Sequence, residues 1–90
     1  MYKTVYKYEL LKEKITVLRL PKIHKIVHCD IQDNSIMLWV ECSFFGYCNY
    51  EVSRCFKVFP TGEHIAPQHN YVSTVKDGAY IWHIYEWIES

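Results

Sequence analysis

Apolar and polar residues alternate along most of the chain, which is the period of a β-strand with one face in a core. Seven segments show this pattern, each bounded by turn residues. They are Thr4–Leu10, Ile15–Leu20, Ile26–Gln32, Ile36–Ser43, Val52–Phe59, Tyr71–Lys76 and Ala79–Ile88. Helical spacing is missing apart from a weak pattern over Glu9–Lys14. The pattern therefore predicts an all-β protein.

The breaks between these segments carry turn chemistry. Pro21 ends the second predicted strand because proline has no N–H for a strand ladder. The segment Gln32–Ser35 contains Asp and Asn, which tolerate positive φ, and it predicts a hairpin. Asp77-Gly78 is a two-residue signal for a second hairpin with a type I′ turn. Residues 44–50 and 63–70 are predicted to be longer loops.

The chain has 90 residues, which is enough for one core, so we expect residues 1–90 to form a single domain. Short antiparallel strands without helices to cover them are typical of a sandwich or a partly open barrel. We therefore expect a small antiparallel sandwich or partly open barrel of about six to seven strands.

The last predicted strand is apolar on both of its faces. Trp82 and Ile84 lie on one face, whereas Tyr85 and Trp87 lie on the other. In so small a domain only one face of a strand meets the intramolecular core. The surplus favours a homo-oligomer or a partner surface, with Trp87 as an anchor and with this strand or the loop 44–50 at the contact.

Ten basic and ten acidic residues give a formal net charge of zero. Domains that bind duplex nucleic acid are usually basic, so the composition disfavours that class. No apolar run approaches the ~18 residues of a membrane span. The N-terminal segment has no apolar signal-peptide core. We therefore expect a cytoplasmic protein without membrane association.

Charge is unevenly distributed along the chain. Residues 1–25 carry seven basic and two acidic side chains, and the rest of the chain has an acidic excess. The densest basic segment surrounds the predicted strand end and contains Arg19, Lys22, His24 and Lys25. These residues predict an anion site for a nucleotide phosphate or for an acidic patch of a partner. The alternative is a solvated strand end that serves solubility.

The loop 44–50 is a second candidate surface. It has no regular period and is rich in aromatic residues, of which Phe45 and Tyr47 are predicted binding residues. Binding residues occur disproportionately on loops held by a rigid scaffold.

Cysteines and histidines supply no recognisable catalytic motif. The cysteines are Cys29, Cys42, Cys48 and Cys55, and no two of them form a C-x-x-C pair. We expect reduced thiols that pack as small apolar side chains, the alternatives being disulfides or a mixed Cys/His metal site. His24 and His28 are four apart but lie at or in a predicted strand, where their side chains need not converge. With no nucleophile or phosphate-loop motif, the sequence predicts no enzyme, no cofactor and no metal.

Several short motifs are spread over almost the whole chain. They are Leu20-Pro21-Lys22, Leu38-Trp39, Thr61-Gly62 and Asp77-Gly78 followed after three residues by Trp82-His83-Ile84-Tyr85-Glu86. Together these motifs resemble a family of short phage and prophage proteins with no assigned biochemical role. The resemblance implies a phage source and an all-β fold, and it assigns no catalytic residue. The aromatic loop 44–50 departs from that pattern.

These observations lead to one functional hypothesis with alternatives. We expect a phage-encoded, non-enzymatic binding protein in the host cytoplasm that antagonises a host process, above all antiviral defence. It would block a host protein or sequester a small nucleotide signal. The alternatives from other classes are a virion or assembly component and a metal-dependent hydrolase.

Overall fold

Seven β-strands make up the fold. The structure, a computed structural model, describes residues 1–46 and 50–88. Its strands are β1 (Tyr2–Leu10), β2 (Ile15–Pro21), β3 (His24–Gln32), β4 (Ser35–Phe44), β5 (Glu51–Pro60), β6 (His69–Asp77) and β7 (Tyr80–Trp87). All seven predicted strands are confirmed, with ends that differ by at most two residues. The described residues contain no helix: within Glu9–Lys14, Glu9 and Leu10 belong to β1 and Glu13 takes a left-handed φ of 58°.

The strands form two antiparallel sheets that face each other. The three-stranded sheet has the order β1-β4-β3, and the four-stranded sheet has the order β2-β5-β7-β6. On one side of the molecule β3 and β6 lie next to each other, but no ladder joins the sheets into a barrel. The sandwich is therefore the correct one of the two predicted architectures.

Alternation along each strand places the hydrophobic core between the sheets. In β2, Leu18 and Leu20 are buried whereas Ile15 and Val17 are exposed. Every second residue of β4, the central strand of its sheet, has the same inward direction. The buried core consists of Leu10, Leu18, Leu20, Ile36, Leu38, Val40, Cys42, Phe56, Val58, Val75 and Ile84. No described element covers the outer face of either sheet completely.

The two predicted hairpins form with different turn geometries. Asp33 and Asn34 both have positive φ, 52° and 66°, as a type I′ turn between paired β3 and β4 requires. At the second hairpin Asp77 pairs with Tyr80, so the two loop residues are Gly78 and Ala79. The predicted Asp77-Gly78 loop is thus wrong by one residue. With positive φ at Gly78 alone, this turn fits type II′.

A bulge in β3 changes the face predicted for its residues. The alternation predicts Val27, Cys29 and Ile31 on one face, but the register shifts between Ile26 and His28. Ile26 therefore packs against the core together with Cys29 and Ile31, and Val27 is exposed. One extra residue in a bulge reverses the direction of everything before it.

Lys12 holds one end of the sandwich together. Its ammonium donates to the carbonyl of Asn34 and to Asp77 Oδ2, both at 3.2 Å, and lies 5.6 Å from the ring centre of Trp82. These contacts join the β1–β2 loop to both hairpins.

Alkaline pH should destabilise the fold through Cys29. Burial raises the pKa of its thiol from 9.0 to about 11, and the nearby Asp30 carboxylate adds to the rise. The unfolded thiol ionises at lower pH than the folded thiol, so we expect the free energy of unfolding to fall between about pH 9 and about pH 11. Burial also raises the pKa values of Tyr8 and Cys42. Cys29→Ala should therefore make the fall shallower without abolishing it.

Urea unfolding at about pH 8 and about pH 10.5 measures this fall in the wild type and in Cys29→Ala. Equal losses in the two proteins would contradict the role of Cys29.

Candidate functional site

The outer face of the four-stranded sheet carries a cluster of aromatic side chains. The register of β5, β7 and β6 places Lys57, Tyr85 and Tyr71 in one row across this face. Cys55, Trp87 and His69 form the neighbouring row. We call the group of Phe59, His69, Tyr71, Tyr85 and Trp87 the aromatic face.

Ring contacts fix the aromatic face from within. Phe59 lies at its centre, with its ring centre 5.3 Å from that of His69 and 5.8 Å from that of Tyr85. Both contacts are edge-to-face, the arrangement that the ring quadrupoles favour. Phe59 is only 2% exposed although it lies outside the main core cluster. The aromatic face is therefore a small second core on the solvent side of the sheet.

A cleft of about 270 Å³ opens beside this second core. It is lined by Ile15, Lys57, Ala66, Gln68, His69 and Trp87. His69 Nδ1–H donates to the carbonyl of Ala66 at 3.0 Å, and Ile88 N–H donates to that of Gln68 at 2.8 Å, so two backbone carbonyls anchor the loop wall. Trp87, which also lines the cleft, is 43% exposed. The cleft has the size to accept one large side chain.

Lys57 supplies the cleft with positive charge. Its ammonium lies 4.9 Å from the ring centre of Phe59, a cation–π contact that keeps the charge over the aromatic face. Arg19 also points outward from this sheet, and Glu51 pairs with it at 3.6 Å. Lys57 is the one side chain of Lys, Arg, Asp or Glu among the residues that line the cleft.

The other half of the same face is polar. His83 contacts the hydroxyl of Thr61 through Nε2 at 2.8 Å and that of Thr74 through Nδ1 at 3.2 Å. The Tyr71 hydroxyl reaches Thr74 Oγ1 at 2.9 Å. Both ring nitrogens of His83 are thus occupied, and this histidine orders the strands beside the aromatic face.

The structure does not bring the predicted basic turn together. Arg19 points outward from the four-stranded sheet, beside Ser53 of β5. Lys25 lies opposite Glu41 in the register of β3 with β4, and it points outward from the three-stranded sheet. Lys22 is exposed in the turn between them. The predicted convergence of these heads on one anion has no geometric support, because the two sheets present them on opposite faces.

His24, the fourth residue of the predicted anion site, faces inward instead. Its Nδ1–H donates to the carbonyl of Pro21 at 2.7 Å, so Nε2 accepts a hydrogen bond from Arg54 Nη1 at 3.0 Å. Arg54 in turn forms a bidentate ion pair with Glu86, with distances of 2.6 Å and 2.5 Å. His24 therefore has a structural partner at each nitrogen.

The remaining predicted binding residues have different outcomes. Trp87 lies in the cleft wall, where its surface is available to a partner. Phe45 is 43% exposed after the end of β4. Tyr47 lies outside the described residues.

Sequence reasoning missed two groups of residues. Lys57, Phe59 and Tyr85 meet on the outer face of the sheet because β5 and β7 are neighbours, and nothing in the local pattern indicates that pairing. The sequence carries a weak signal of the Arg54–Glu86 ion pair, since both charged residues occupy inward positions in the alternation of their strands. A charge at an inward position predicts a buried partner, but it does not say which one.

Among the described residues there is neither a metal-binding cluster nor a membrane-spanning helix. Residues 1–46 and 50–88 bring no three His, Cys, Asp or Glu side chains together in a way that would hold a metal ion. In the same part of the chain no helix has the length and hydropathy to cross a membrane.

The fold and the aromatic face together define an open, two-sheet β-sandwich domain with an organised aromatic surface. The chain belongs to the domain family of unknown function DUF7352, whose model matches residues 1–90. No curated protein and no solved structure matches the chain. The expectation of a family without an assigned role is confirmed, and no activity is transferred from a relative.

The Arg54–Glu86 pair allows a test of its structural role. Both side chains are largely buried, at 23% and 15% exposure. Glu86→Gln should destabilise the protein by about 3 kcal/mol because it leaves a buried guanidinium without its counter-charge. The double variant Arg54→Met/Glu86→Leu should recover most of this loss. Urea unfolding of Glu86→Gln and of the double variant measures the difference, and a double variant no more stable than Glu86→Gln would contradict this role.

Proposed function

We propose that this domain is a non-enzymatic binding protein that blocks a partner protein by docking it on the aromatic face. The observation that carries the proposal is the half-exposed Trp87 in the wall of a preformed cleft. Tryptophan and tyrosine are enriched at interface hot spots, where a few buried aromatic anchors supply most of the affinity. The packed rings beneath Trp87 pre-organise it, which lowers the entropic cost of binding.

A protein partner fits this face better than a nucleotide signal does. Nucleotide sequestration requires several cations around the phosphates beside a stacking ring. Here Arg19 is neutralised by Glu51, and Lys25 lies on the other sheet. Lys57 is one cation beside an apolar cleft, which suits an apolar side chain flanked by a carboxylate.

The partner is proposed to be a host protein. The resemblance of the sequence to short phage proteins supports a phage source, and the family match leaves the biochemical role open. A phage protein of this size that acts by surface contact would antagonise a host process such as antiviral defence in the host cytoplasm. A role in virion assembly is the competing proposal, and the identity of the captured protein separates the two.

Trp87→Ala tests the anchor. We expect a loss of about 2 kcal/mol, or roughly 30-fold in affinity, for a partner captured from infected cells, because the change empties the hot spot. Trp39→Ala is the matched control, since Trp39 is half-buried on the outer face of the other sheet against His28. Calorimetric titration gives the affinities. Equal effects of the two variants would contradict docking on the aromatic face.

Lys57→Glu tests the electrostatic part of the proposal. We expect it to weaken binding by about tenfold or more, since a charge-assisted contact contributes about 1.5–3 kcal/mol. The double variant Lys22→Glu/Lys25→Glu should change affinity less than about twofold, because exposed charges remote from an interface contribute little. The opposite ranking, measured by titration at two salt concentrations, would make the basic turn the binding surface.

A further inference from the structure

β2 is an edge strand, and its pairing with β5 shows which of its residues direct their backbone N–H and C=O groups to the free edge. In an antiparallel pair, opposite residues alternate between exchanging both backbone hydrogen bonds and exchanging none. Lys22 N–H donates to the carbonyl of Tyr50 at 2.7 Å, and this pair continues the register of β2 with β5. Thr16, Leu18 and Leu20 therefore bond to β5. The N–H and C=O groups of Ile15, Val17 and Arg19 point to the free edge.

β2 has fewer of the devices that protect the other edges. The pairing of β4 decides which residues of β1 face the free edge: Ser43 N–H donates to the carbonyl of Ile23, so Ser43 and every second residue from it bond to β3. The residues of β4 between them bond to β1. The edge-facing residues of β1 are consequently Lys3, Val5, Lys7 and Glu9, of which three are charged. Both β3 and β6 contain a bulge and lie beside each other. Charges and bulges are what natural sheets use to prevent edge pairing.

Arg19 is the only charged residue of β2, and its side chain contacts the sheet to which β2 belongs. Arg19 pairs with Glu51 of the adjacent strand, which leaves Ile15 and Val17 as exposed apolar side chains along the edge. Pro21 has no N–H and ends the strand, so a pairing strand cannot use it as a donor. The usable donors are those of Ile15, Val17 and Arg19.

We propose that β2 pairs with β2 of a second copy of this chain, antiparallel and centred on Val17. In that register Val17 lies opposite Val17 of the second copy, and Ile15 lies opposite Arg19. Every edge-facing donor and acceptor of these three residues is then used. A shift of the register toward Pro21 would place Ile15 opposite Pro21, which has no N–H to donate to the carbonyl of Ile15. No like charges are directly opposite each other. The two four-stranded sheets become one continuous sheet.

The second copy is favoured as the occupant because the edge is self-complementary. Its donors, acceptors and apolar side chains are arranged symmetrically about Val17, as a two-fold interface requires. This inference does not depend on a partner for the aromatic face, but the dimer would present two such faces. It also uses a different strand from β7 or the loop 44–50, which the sequence suggested for self-association.

The mass in solution is the first test. Sedimentation equilibrium should show a species of twice the 10.8 kDa chain mass at high concentration. Val17→Lys and Val17→Glu should each raise the dissociation constant roughly tenfold, because each places like charges opposite each other on the two-fold axis. An equimolar mixture of the two variants should dimerise again. Val5→Lys is the matched control on β1, since Val5 is 50% exposed and Val17 is 56% exposed.

Amide hydrogen exchange by NMR then reads the register. The amides of Ile15, Val17 and Arg19 should exchange more slowly as the protein concentration rises, and those of Lys3, Val5 and Lys7 should not change. A chain that stays monomeric at every concentration would overturn the proposal. So would a dissociation constant that Val17→Lys leaves unchanged, or one that Val5→Lys raises as much as Val17→Lys does. Failure of the variant mixture to dimerise would overturn the Val17-centred register.

Discussion

Burial of one face of every strand between two sheets is the constraint on which the rest of the structure depends. The described residues contain no helix, so each sheet has only the other sheet to cover its apolar side. This arrangement produces an apolar interior around β4, β5 and β7, and it leaves two outer faces and several strand edges exposed. Any function of this domain therefore belongs to a loop, an outer face or an edge.

On the outer face of the four-stranded sheet, neighbouring side chains cover part of the apolar surface. Phe59, His69 and Tyr85 pack edge to face into a second core, and the chain after β5 forms one wall of the adjacent cleft. The result is an aromatic surface whose rings are packed against one another. Rigid aromatic surfaces suit recognition because little side-chain entropy is lost on binding.

Charge is used mainly for structure where the two sheets meet. The series of hydrogen bonds from Pro21 through His24 and Arg54 to Glu86 joins the β2–β3 turn to β5 and β7. Each polar group in it has a partner, which is what makes burial of the ion pair tolerable. A histidine next to three basic residues in the sequence thus serves the fold, and the cations around it lie on different surfaces.

The sequence by itself determined the strands and the fold class, because alternation of period two and Gly, Pro, Asp and Asn punctuation are local properties. It also indicated that the last strand is apolar on both faces and that Trp87 lies on the second of them. Only the tertiary structure decided which strands are neighbours, and hence that Lys57, Phe59 and Tyr85 meet. It also decided the bulge at Ile26–His28, which moved Val27 to the surface. These outcomes depend on pairing between distant segments, and no local pattern of apolar and polar residues encodes which strand becomes the partner.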